Sequence, residues 1–281
     1  MKPAEFHYRT GWRTAGTRPG SHPGRLAGSG QLFRQLAPLL AQPDPRRLDL
    51  RASLTDPFET WWVRLYQQRS AIAVQVLADL SGSMGYRGTH PKLAVLADFI
   101  EALAVSVYRA GDTLGVRAAA DRIYRELSLP PARQPGPAFQ LAQRLRRFHP
   151  PGVGCSALLE AARSLPGRRS LVLVLSDFHF PLSFAKQLLA ALARHDVVPV
   201  VLWDPAEALP EASGLARLVD LEGGGARLLM LRPALRQRLA DNIRDRRARL
   251  IALCRQHGRE PLLLPDGFDP HRVSRYFLGV R

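Results

Sequence analysis

Apolar residues change their spacing at about residue 71, and the new pattern continues to the C-terminal end. The runs 71–78 and 170–176 are almost wholly apolar, which is typical of strands that a sheet buries on both faces. Between them, residues 92–109 carry apolar side chains every three or four positions and end before Gly111, as an amphipathic helix does. Alternating strands and helices predict a mainly parallel sheet with helices on both faces.

The rest of this region continues the alternation. Strands are predicted at 113–120, 197–203, 217–222, 226–231 and 260–265, and helices at 138–148, 156–165, 183–195, 234–256 and 270–278. Because Gly223, Gly224 and Gly225 separate two of the strands, we expect a hairpin there. The helix 234–256 carries seven arginines and two aspartates outside its apolar side. Its outer face is predicted to be basic, either as a solvated surface or as a docking face for an acidic partner.

The N-terminal part is patterned differently. Residues 1 to about 45 are rich in Gly, Pro and Arg and show little periodicity, so we expect an irregular arm. The stretches 46–53 and 59–68 alternate apolar with polar residues around the turn signal Asp56-Pro57, which predicts a β-hairpin. The expected organisation is an arm and hairpin over residues 1–69, followed by one α/β domain over residues 70–281.

Composition places the chain among folded proteins. It has 281 residues, of which 46% are hydrophobic and 23% charged. No apolar stretch approaches the length of a membrane span, and the first residues lack the apolar core of a signal peptide, so we expect a cytoplasmic protein. The two cysteines, Cys155 and Cys254, have no metal-ligand spacing. They indicate a reduced compartment, with a single disulfide as the alternative.

The chain is strongly basic. Forty Lys and Arg residues stand against 24 Asp and Glu, which gives a net charge of +16. Such a charge predicts attraction to polyanions or to acidic protein surfaces. The basic residues are spread over the whole chain and form no nucleic-acid module, so an acidic protein partner or a plain solvated surface is favoured over nucleic acid.

Three oxygen-bearing side chains follow the first buried run at alternate positions. Asp79, Ser81 and Ser83 would point to one side of an extended chain and converge beyond the strand end. Carboxylate and hydroxyl oxygens suit Mg²⁺, Mn²⁺ or Ca²⁺. A second carboxylate is expected from Asp177, which closes the next buried run. Ser156 follows two glycines at a helix start, where its hydroxyl would either cap the helix or reach the same ion.

The pattern DxSxS at Asp79, Ser81 and Ser83, then Ser156 and Asp177, resembles the metal-ion-dependent adhesion site of von Willebrand factor A domains. The segments "DPRRLDLRAS" and "WWVRLYQQR", and the tail from "RLVDLE" through "RRARLIALCRQHG" to "RVSRYFLGVR", resemble the bacterial MoxR-associated subgroup of these domains. The resemblance implies a three-layer, Rossmann-like von Willebrand factor A fold. Two departures are Ser156, where the motif usually has threonine, and Leu50, where the subgroup commonly has tryptophan.

The same resemblance implies a function. In such a site the metal keeps a position open at the surface, and an Asp or Glu of a partner protein completes its shell. The MoxR-associated group is thought to act with an AAA+ ATPase to insert metals or cofactors into a client enzyme or to remodel it. This chain has no GxxxxGK[ST] motif, so any ATP would be hydrolysed by the partner. We therefore expect a non-enzymatic, chaperone-like adaptor in enzyme maturation.

Two alternatives come from other classes. A serine hydrolase would use Ser83 as nucleophile, His257 or His271 as base and Asp177 to orient the base. That interpretation gives no role to Asp79 or to the repeated hydroxyls. A basic nucleic-acid-binding protein is the second alternative, and its binding would fall steeply with salt and would not depend on Mg²⁺.

Overall fold

A computed structural model describes residues 4–14, 16, 18–28, 32–152, 154–207, 214–219 and 225–279. The chain divides into two compact units. The N-terminal unit comprises Thr10–Ile72 with Ala110–Asp112, and the sheet unit comprises the residues before Thr10, Ala73–Arg109 and the residues from Thr113 onward. The division into 1–69 and 70–281 stays a prediction, because compactness does not show that either part folds alone.

Eleven strands and seven α-helices are present in the described residues. The strands are β1 (Pro19–Gly28), β2 (Leu32–Pro38), β3 (Trp62–Ser70), β4 (Ala73–Asp79), β5 (Thr113–Ala119), β6 (Leu129–Ala132), β7 (Leu171–Ser176), β8 (Asp196–Val201), β9 (Gly214–Val219), β10 (Ala226–Leu231) and β11 (Leu262–Leu263). The helices are α1 (Leu50–Leu54), α2 (Lys92–Ala110), α3 (Gly136–Arg147), α4 (Ser156–Arg163), α5 (Leu182–Ala191), α6 (Pro233–Gln256) and α7 (Pro270–Leu278).

The N-terminal unit contains a three-stranded antiparallel sheet in the order β1-β3-β2. Two strands therefore lie where we expected an irregular arm. The glycine and proline residues in these strands interrupt the alternation of apolar and polar positions that would have predicted them. One of the glycines is needed for the packing. A Cβ on Gly20 would lie 2.3 Å from the backbone nitrogen of Ala71, so the two backbones can approach only without a side chain at this position.

The predicted hairpin is wrong in its first strand. Residues 46–53 form a short 3₁₀ turn and the start of helix α1. They pair with β3 through one antiparallel bridge, between Leu48 and Val63. The Asp49 side chain explains the change, because it accepts a 3.1 Å hydrogen bond from the Ala52 backbone N–H and caps α1. The second predicted strand is present as β3 and pairs with β1 and β2.

The sheet unit has six strands in the order β11-β8-β7-β4-β5-β6. All neighbours are parallel except β6, which runs antiparallel to β5 at the edge. This confirms the predicted α/β class with a mainly parallel sheet. Strand β6 was missed because Pro130 and Pro131 occupy half of it, and proline is tolerated in a sheet at such an edge.

The strand order reverses beside β4. From β4 the chain proceeds to β5 and β6 on one side, then returns to β7, β8 and β11 on the other. Because parallel crossovers are generally right-handed, this reversal is expected to place helices on both faces of the sheet and to give three layers. One core cluster joins Leu77 and Val174 of the sheet with Leu158 of α4, Leu188 of α5 and Leu250 of α6.

Residues 4–9 of the arm belong to the sheet unit. The Phe6 ring packs against Phe99 of α2 and Phe277 of α7, with ring centroids 5.3 and 6.4 Å away. Its backbone N–H donates a 3.0 Å hydrogen bond to Ser106 Oγ. Helix α2 ends as predicted, because Gly111 takes the left-handed conformation at φ 74°.

The C-terminal elements are close to the prediction, although β9 covers Gly214–Val219 where we predicted 217–222, and residues 220–222 lie outside the described residues. Strands β9 and β10 pair antiparallel, and of the expected turn glycines Gly223 and Gly224 lie outside the described residues. Helix α6 buries only Leu250 and Cys254 completely. Its basic residues do not all face outward, since the Cζ atom of Arg247 lies 4.6 Å from the centre of the Trp203 ring. Among the described residues, no helix combines the length and apolarity that a membrane crossing requires.

Candidate metal centre at the carboxyl edge of the sheet

The two predicted acidic ligands come from neighbouring strands. Asp79 is the last residue of β4, and Asp177 directly follows β7. The strands are paired in register, with Ala78 opposite Leu175. Their carboxyl ends lie at the point where the strand order reverses, which is where open parallel sheets form ligand sites. The fold thus brings both acids to one place.

The hydroxyl residues gather around Asp79. Its Oδ1 accepts a 2.9 Å hydrogen bond from the Ser81 backbone N–H, and its Oδ2 accepts a 2.5 Å bond from Ser176 Oγ. A 3₁₀ turn over Gly82–Gly85 brings Ser83 back, so that the Ser81 and Ser83 hydroxyl oxygens lie 3.3 Å apart. The Ser81 and Ser83 hydroxyl groups therefore lie together next to the end of β4, and the assignment of Asp79, Ser81 and Ser83 as metal ligands stays a prediction.

Burial controls the charge of Asp79. The side chain is completely buried, and this burial, together with the negative charge of Asp177, raises the pKa of Asp79 to about 7. The hydrogen bonds from Ser176 and Ser81 lower the pKa of Asp79, but by less than burial and the charge of Asp177 raise it. Two buried carboxyl groups so close together favour a positive charge between or beside them.

That positive charge is supplied by Lys92. Its Nζ lies 2.6 Å from Asp177 Oδ2, pairs with Glu207 and donates a 3.2 Å hydrogen bond to the Ser83 carbonyl oxygen. The Tyr86 ring centre is 5.6 Å away. Burial alone would raise the pKa of Asp177, but the charges of Lys92 and His179 outweigh it and lower that pKa overall. Asp177 is therefore held as a carboxylate.

A second acidic grouping overlaps with this one. Ligand atoms of Asp177, His179 and Glu207 lie within 4.8 Å of one another and could hold a metal ion. His179 Nε2 is 3.1 Å from Glu207 Oε2. The chain thus contains a candidate acidic metal site, and Lys92 already touches two of its three members.

Ser156 differs from the other four predicted ligands. It is the first residue of α4, and the neighbouring bond from Ala157 N to Ala120 O places this helix end at the carboxyl edge of the sheet. Its side chain is exposed, whereas Asp79, Ser81, Ser83 and Asp177 are buried. Cys155, not Ser156, occupies the N-cap position, and no side chain caps the helix there.

The donor set fits a hard cation, but the access that we expected is not present in this conformation. Carboxylate and hydroxyl oxygens are the donors that Mg²⁺ and Mn²⁺ prefer. The resemblance implied a coordination position open at the surface. The most exposed of the four clustered residues, Ser83, retains 8% of its accessible surface, so a partner's carboxylate cannot reach the cluster without some movement.

Hydrogen bonds to Asp204 hold two of the loops around the site together. Asp204, after β8, accepts hydrogen bonds from the backbone N–H groups of His90 (2.9 Å) and Ala206 (2.8 Å). These bonds tie the loop that follows the serine motif to the loop that carries Glu207. Gly88 is required between them, because a Cβ there would lie 2.5 Å from Asp204 Oδ2.

Sequence reasoning missed Lys92, His179 and Glu207. Two signals point to them. His179 and Glu207 follow the ends of β7 and β8, the same edge from which Asp177 was predicted. Lys92 shares the inward stripe of α2 with Leu96 and is one of only three lysines among 40 basic residues. A buried charge in an apolar stripe indicates a specific partner.

The structure does not bring His257 to Ser83 and Asp177, as the serine-hydrolase alternative would require. This histidine lines a cavity with Arg169 and Asp196, which precede β7 and begin β8. That is the opposite edge of the sheet from Ser83 and Asp177. His271 lies in the first turn of α7, where its backbone N–H bonds to Asp269 Oδ1, and Asp177 is engaged by Lys92.

The strand order and the converging oxygen donors define a doubly wound α/β protein with a candidate cation site at its switch point. The chain belongs to the family described as "Protein of unknown function DUF58", whose model matches residues 44–249. This agrees with the resemblance to the MoxR-associated subgroup. A relative named "Uncharacterized protein in moxR 3'region", from Paracoccus denitrificans, is 37% identical over 102 residues, which are 36% of this chain and 97% of that protein.

Other similarities are more distant. Uncharacterized protein Rv1480 of Mycobacterium tuberculosis is 33% identical over 106 residues, and the match covers 37% of this chain but only 33% of that protein. Among solved structures, BatB from Bacteroides thetaiotaomicron has a TM-score of 0.44 at 16% identity and covers 74% of this chain and 98% of its own. The SpRpn10 VWA domain has a TM-score of 0.39 at 12% identity, with coverages of 72% and 94%.

Proposed function

We propose that this protein is a non-enzymatic, metal-dependent adaptor that acts with a MoxR-type AAA+ ATPase on a client enzyme, in its maturation, in metal or cofactor insertion or in remodelling. Asp79, Ser81, Ser83 and Asp177 would hold Mg²⁺, with Ser156 as the remaining predicted ligand. A bound ion would supply a coordination position that an Asp or Glu of the partner completes.

The observation that carries this proposal is the convergence of Asp79, Ser81 and Ser83 beside Asp177. The four side chains come from two strand ends and one 3₁₀ turn, and they are buried together. Carboxylate and hydroxyl oxygens gathered in this way are the donors that a hard cation prefers.

The partner class is supported by charge and by the relatives. The net charge of +16 favours association with an acidic protein surface. The Paracoccus relative is named for the region 3′ of moxR. The chain carries no phosphate-binding GxxxxGK[ST] loop, so the energy of ATP would have to come from another protein.

A direct binding experiment tests the proposal. The full-length protein is immobilised and exposed to the purified MoxR-type ATPase of the same organism, with Mg²⁺ or with EDTA. We expect retention of the ATPase in Mg²⁺ and at least a tenfold loss in EDTA. Asp79→Asn, which keeps the shape of the side chain but removes its charge, should lose the same retention.

Asp266→Asn is the matched control, because this aspartate is well exposed and its contact with Arg272 is 3.7 Å long. It should retain the ATPase as the unmodified protein does. Equal retention with Mg²⁺ and with EDTA would refute the metal dependence. Retention of nucleic acid that falls steeply with salt and ignores Mg²⁺ would instead favour the nucleic-acid alternative.

A further inference from the structure

Among the described residues of the sheet unit, Lys92 is the most completely buried basic side chain, and the metal proposal does not use it. Only 2% of its surface is exposed, although it is the first residue of helix α2. Its ammonium group contacts the Asp177 and Glu207 carboxylates, the Ser83 carbonyl oxygen and the Tyr86 ring. A buried lysine is costly to desolvate, so this many partners indicates a specific place for a positive charge.

The position that the Lys92 ammonium group occupies lies directly beside Asp177, one of the predicted metal ligands. Lys92 Nζ touches Asp177 Oδ2 at 2.6 Å and reaches the main chain of Ser83. A divalent ion that bound Asp177 at this oxygen would lie within a few ångströms of the ammonium group. Two positive charges at such a distance repel strongly in a buried site, so they cannot share that oxygen.

We infer that Lys92 is the resident cation of the site, and that a metal ion engages Asp177 only after the Lys92 ammonium group has left it. This inference rests on the proposed metal-dependent function and concerns the regulation of the same site. Glu207 provides the second anchor, because its carboxylate pairs with Lys92 independently of Asp177. The ammonium group can therefore leave Asp177 without losing every negatively charged partner.

The residue type agrees with this role. Thirty-seven of the 40 basic residues are arginine, yet lysine stands at this position. An ammonium group is compact and acts as a point charge, whereas the planar guanidinium needs a wider, fork-shaped space. The displacement would also loosen the packing beside the buried cluster, since the Lys92 ammonium group contacts both the Ser83 carbonyl oxygen and the Tyr86 ring.

Chemical labelling tests the displacement directly. The chain has only three lysines, and Lys186 is exposed, so it reports the reactivity of an unhindered amine in the same molecule. An amine-acylating reagent is applied to the full-length protein with EDTA or with Mn²⁺, and each lysine is quantified by mass spectrometry. We expect Lys92 to be acylated slowly in EDTA and at least about tenfold faster in Mn²⁺, while Lys186 is unchanged.

Mn²⁺ affinity provides a second measurement. Lys92→Met removes the ammonium group while keeping an unbranched chain of nearly the same length, and the variant should bind Mn²⁺ at least about tenfold more tightly than the unmodified protein. If the unpaired Glu207 and Asp177 prevent folding, Lys92→Met with Glu207→Gln restores the charge balance and should show the same gain. Unchanged or weaker affinity in the folded variant overturns the inference, as does Lys92 acylation that does not respond to bound Mn²⁺.

The two proposals can fail separately. If ATPase retention needs Mg²⁺ but Lys92 neither moves nor affects Mn²⁺ affinity, the adaptor proposal stands and the lysine inference is wrong. If Mn²⁺ displaces Lys92 but ATPase retention is the same in EDTA, the lysine inference stands and the adaptor proposal is wrong.

Discussion

The Arg246 guanidinium donates a 2.9 Å hydrogen bond to the carbonyl oxygen of Phe178, and the same Nη2 bonds to the carbonyl oxygen of Phe180 at 2.5 Å. Phe178 directly follows Asp177 and has a φ of 55°, a left-handed conformation that is unfavourable for an aromatic residue. Helix α6 therefore holds in place the strained backbone that carries Asp177. Its basic face has an inward role that the sequence pattern did not indicate.

Removing this contact should lower stability. Arg246→Ala leaves two carbonyl oxygens without their donor, and hydrogen bonds to charged groups contribute about 1.5–3 kcal/mol each. Because the contact is partly exposed, we expect a total loss of about 1–3 kcal/mol in the free energy of unfolding, measured by urea denaturation. Arg246→Lys should recover only part of it, since the lysine side chain is shorter and its ammonium group cannot take the position of Nη2.

Arg249→Ala is the control for the Arg246 variants. Arg249 lies one turn later on α6 and its Nε reaches only the Asp245 carbonyl oxygen, at 3.4 Å. Its removal should change stability by less than about 0.5 kcal/mol. A similar loss for both variants would show that helix propensity or net charge, not the contact with Phe178, determines the effect.

Stability without metal should depend on the ionisation of Asp79. Its pKa is raised from the ordinary 3.8 to about 7, so the folded chain binds this proton more tightly than the unfolded chain does. The stabilisation is fully present below pH 3.8 and is lost as the pH rises through 7. Asp79→Asn should therefore unfold at a higher temperature than the unmodified protein at pH 8 in EDTA, by about 2–4 °C, the shift that 1 kcal/mol gives at this size.

Added Mg²⁺ should reverse that order. A ligand that binds only the folded state stabilises it by RT ln(1 + [L]/Kd). The unmodified protein should gain melting temperature with Mg²⁺ at pH 8, and Asp79→Asn should not. The same gain in both proteins would place the stabilising ion away from Asp79.

Ser83 and Ser156 should contribute unequally to Mn²⁺ affinity. Ser83 Oγ lies 3.3 Å from Ser81 Oγ in the buried cluster, whereas Ser156 is exposed at the start of α4. Ser83→Ala should weaken Mn²⁺ binding about tenfold or more, and Ser156→Ala should weaken it less. Titration calorimetry on both variants measures the difference, and a greater loss for Ser156→Ala would mean that α4 moves onto the ion when it binds.

The cysteines should differ in reactivity. Neither Cys155 nor Cys254 is in a disulfide in this structure. Burial raises the pKa of Cys254 to about 11, so almost no reactive thiolate is present at pH 8. Iodoacetamide should modify Cys155 in the folded protein and Cys254 only after unfolding. Equal rates in the native state would show that α6 leaves the sheet readily.

The local pattern of apolar and polar residues was sufficient to predict most strands and helices of the sheet unit. The buried runs that became β4 and β7 and the apolar stripe of α2 were readable because burial on both faces or on one stripe leaves a distinct periodicity. The spacing of Asp79, Ser81 and Ser83 was informative for the same reason, since alternate residues of an extended chain share a side. Asp177 could be added because parallel strands end at a common edge.

Tertiary structure decided the features that depend on contacts distant in sequence. Strands β1 and β2 and the replacement of a predicted strand by α1 follow from pairing with β3 and from the Asp49 cap, which outweigh weak local preferences. The position of Lys92 beside Asp177, 85 residues later in the chain, likewise follows from the packing of α2 on the sheet. The sequence alone indicated that the oxygen donors of Asp79, Ser81 and Ser83 follow one strand end at alternate positions, because strand geometry is local. Which positive charge they hold was decided by the fold, because only folding brings a helix start, two strand ends and the Glu207 loop to one point.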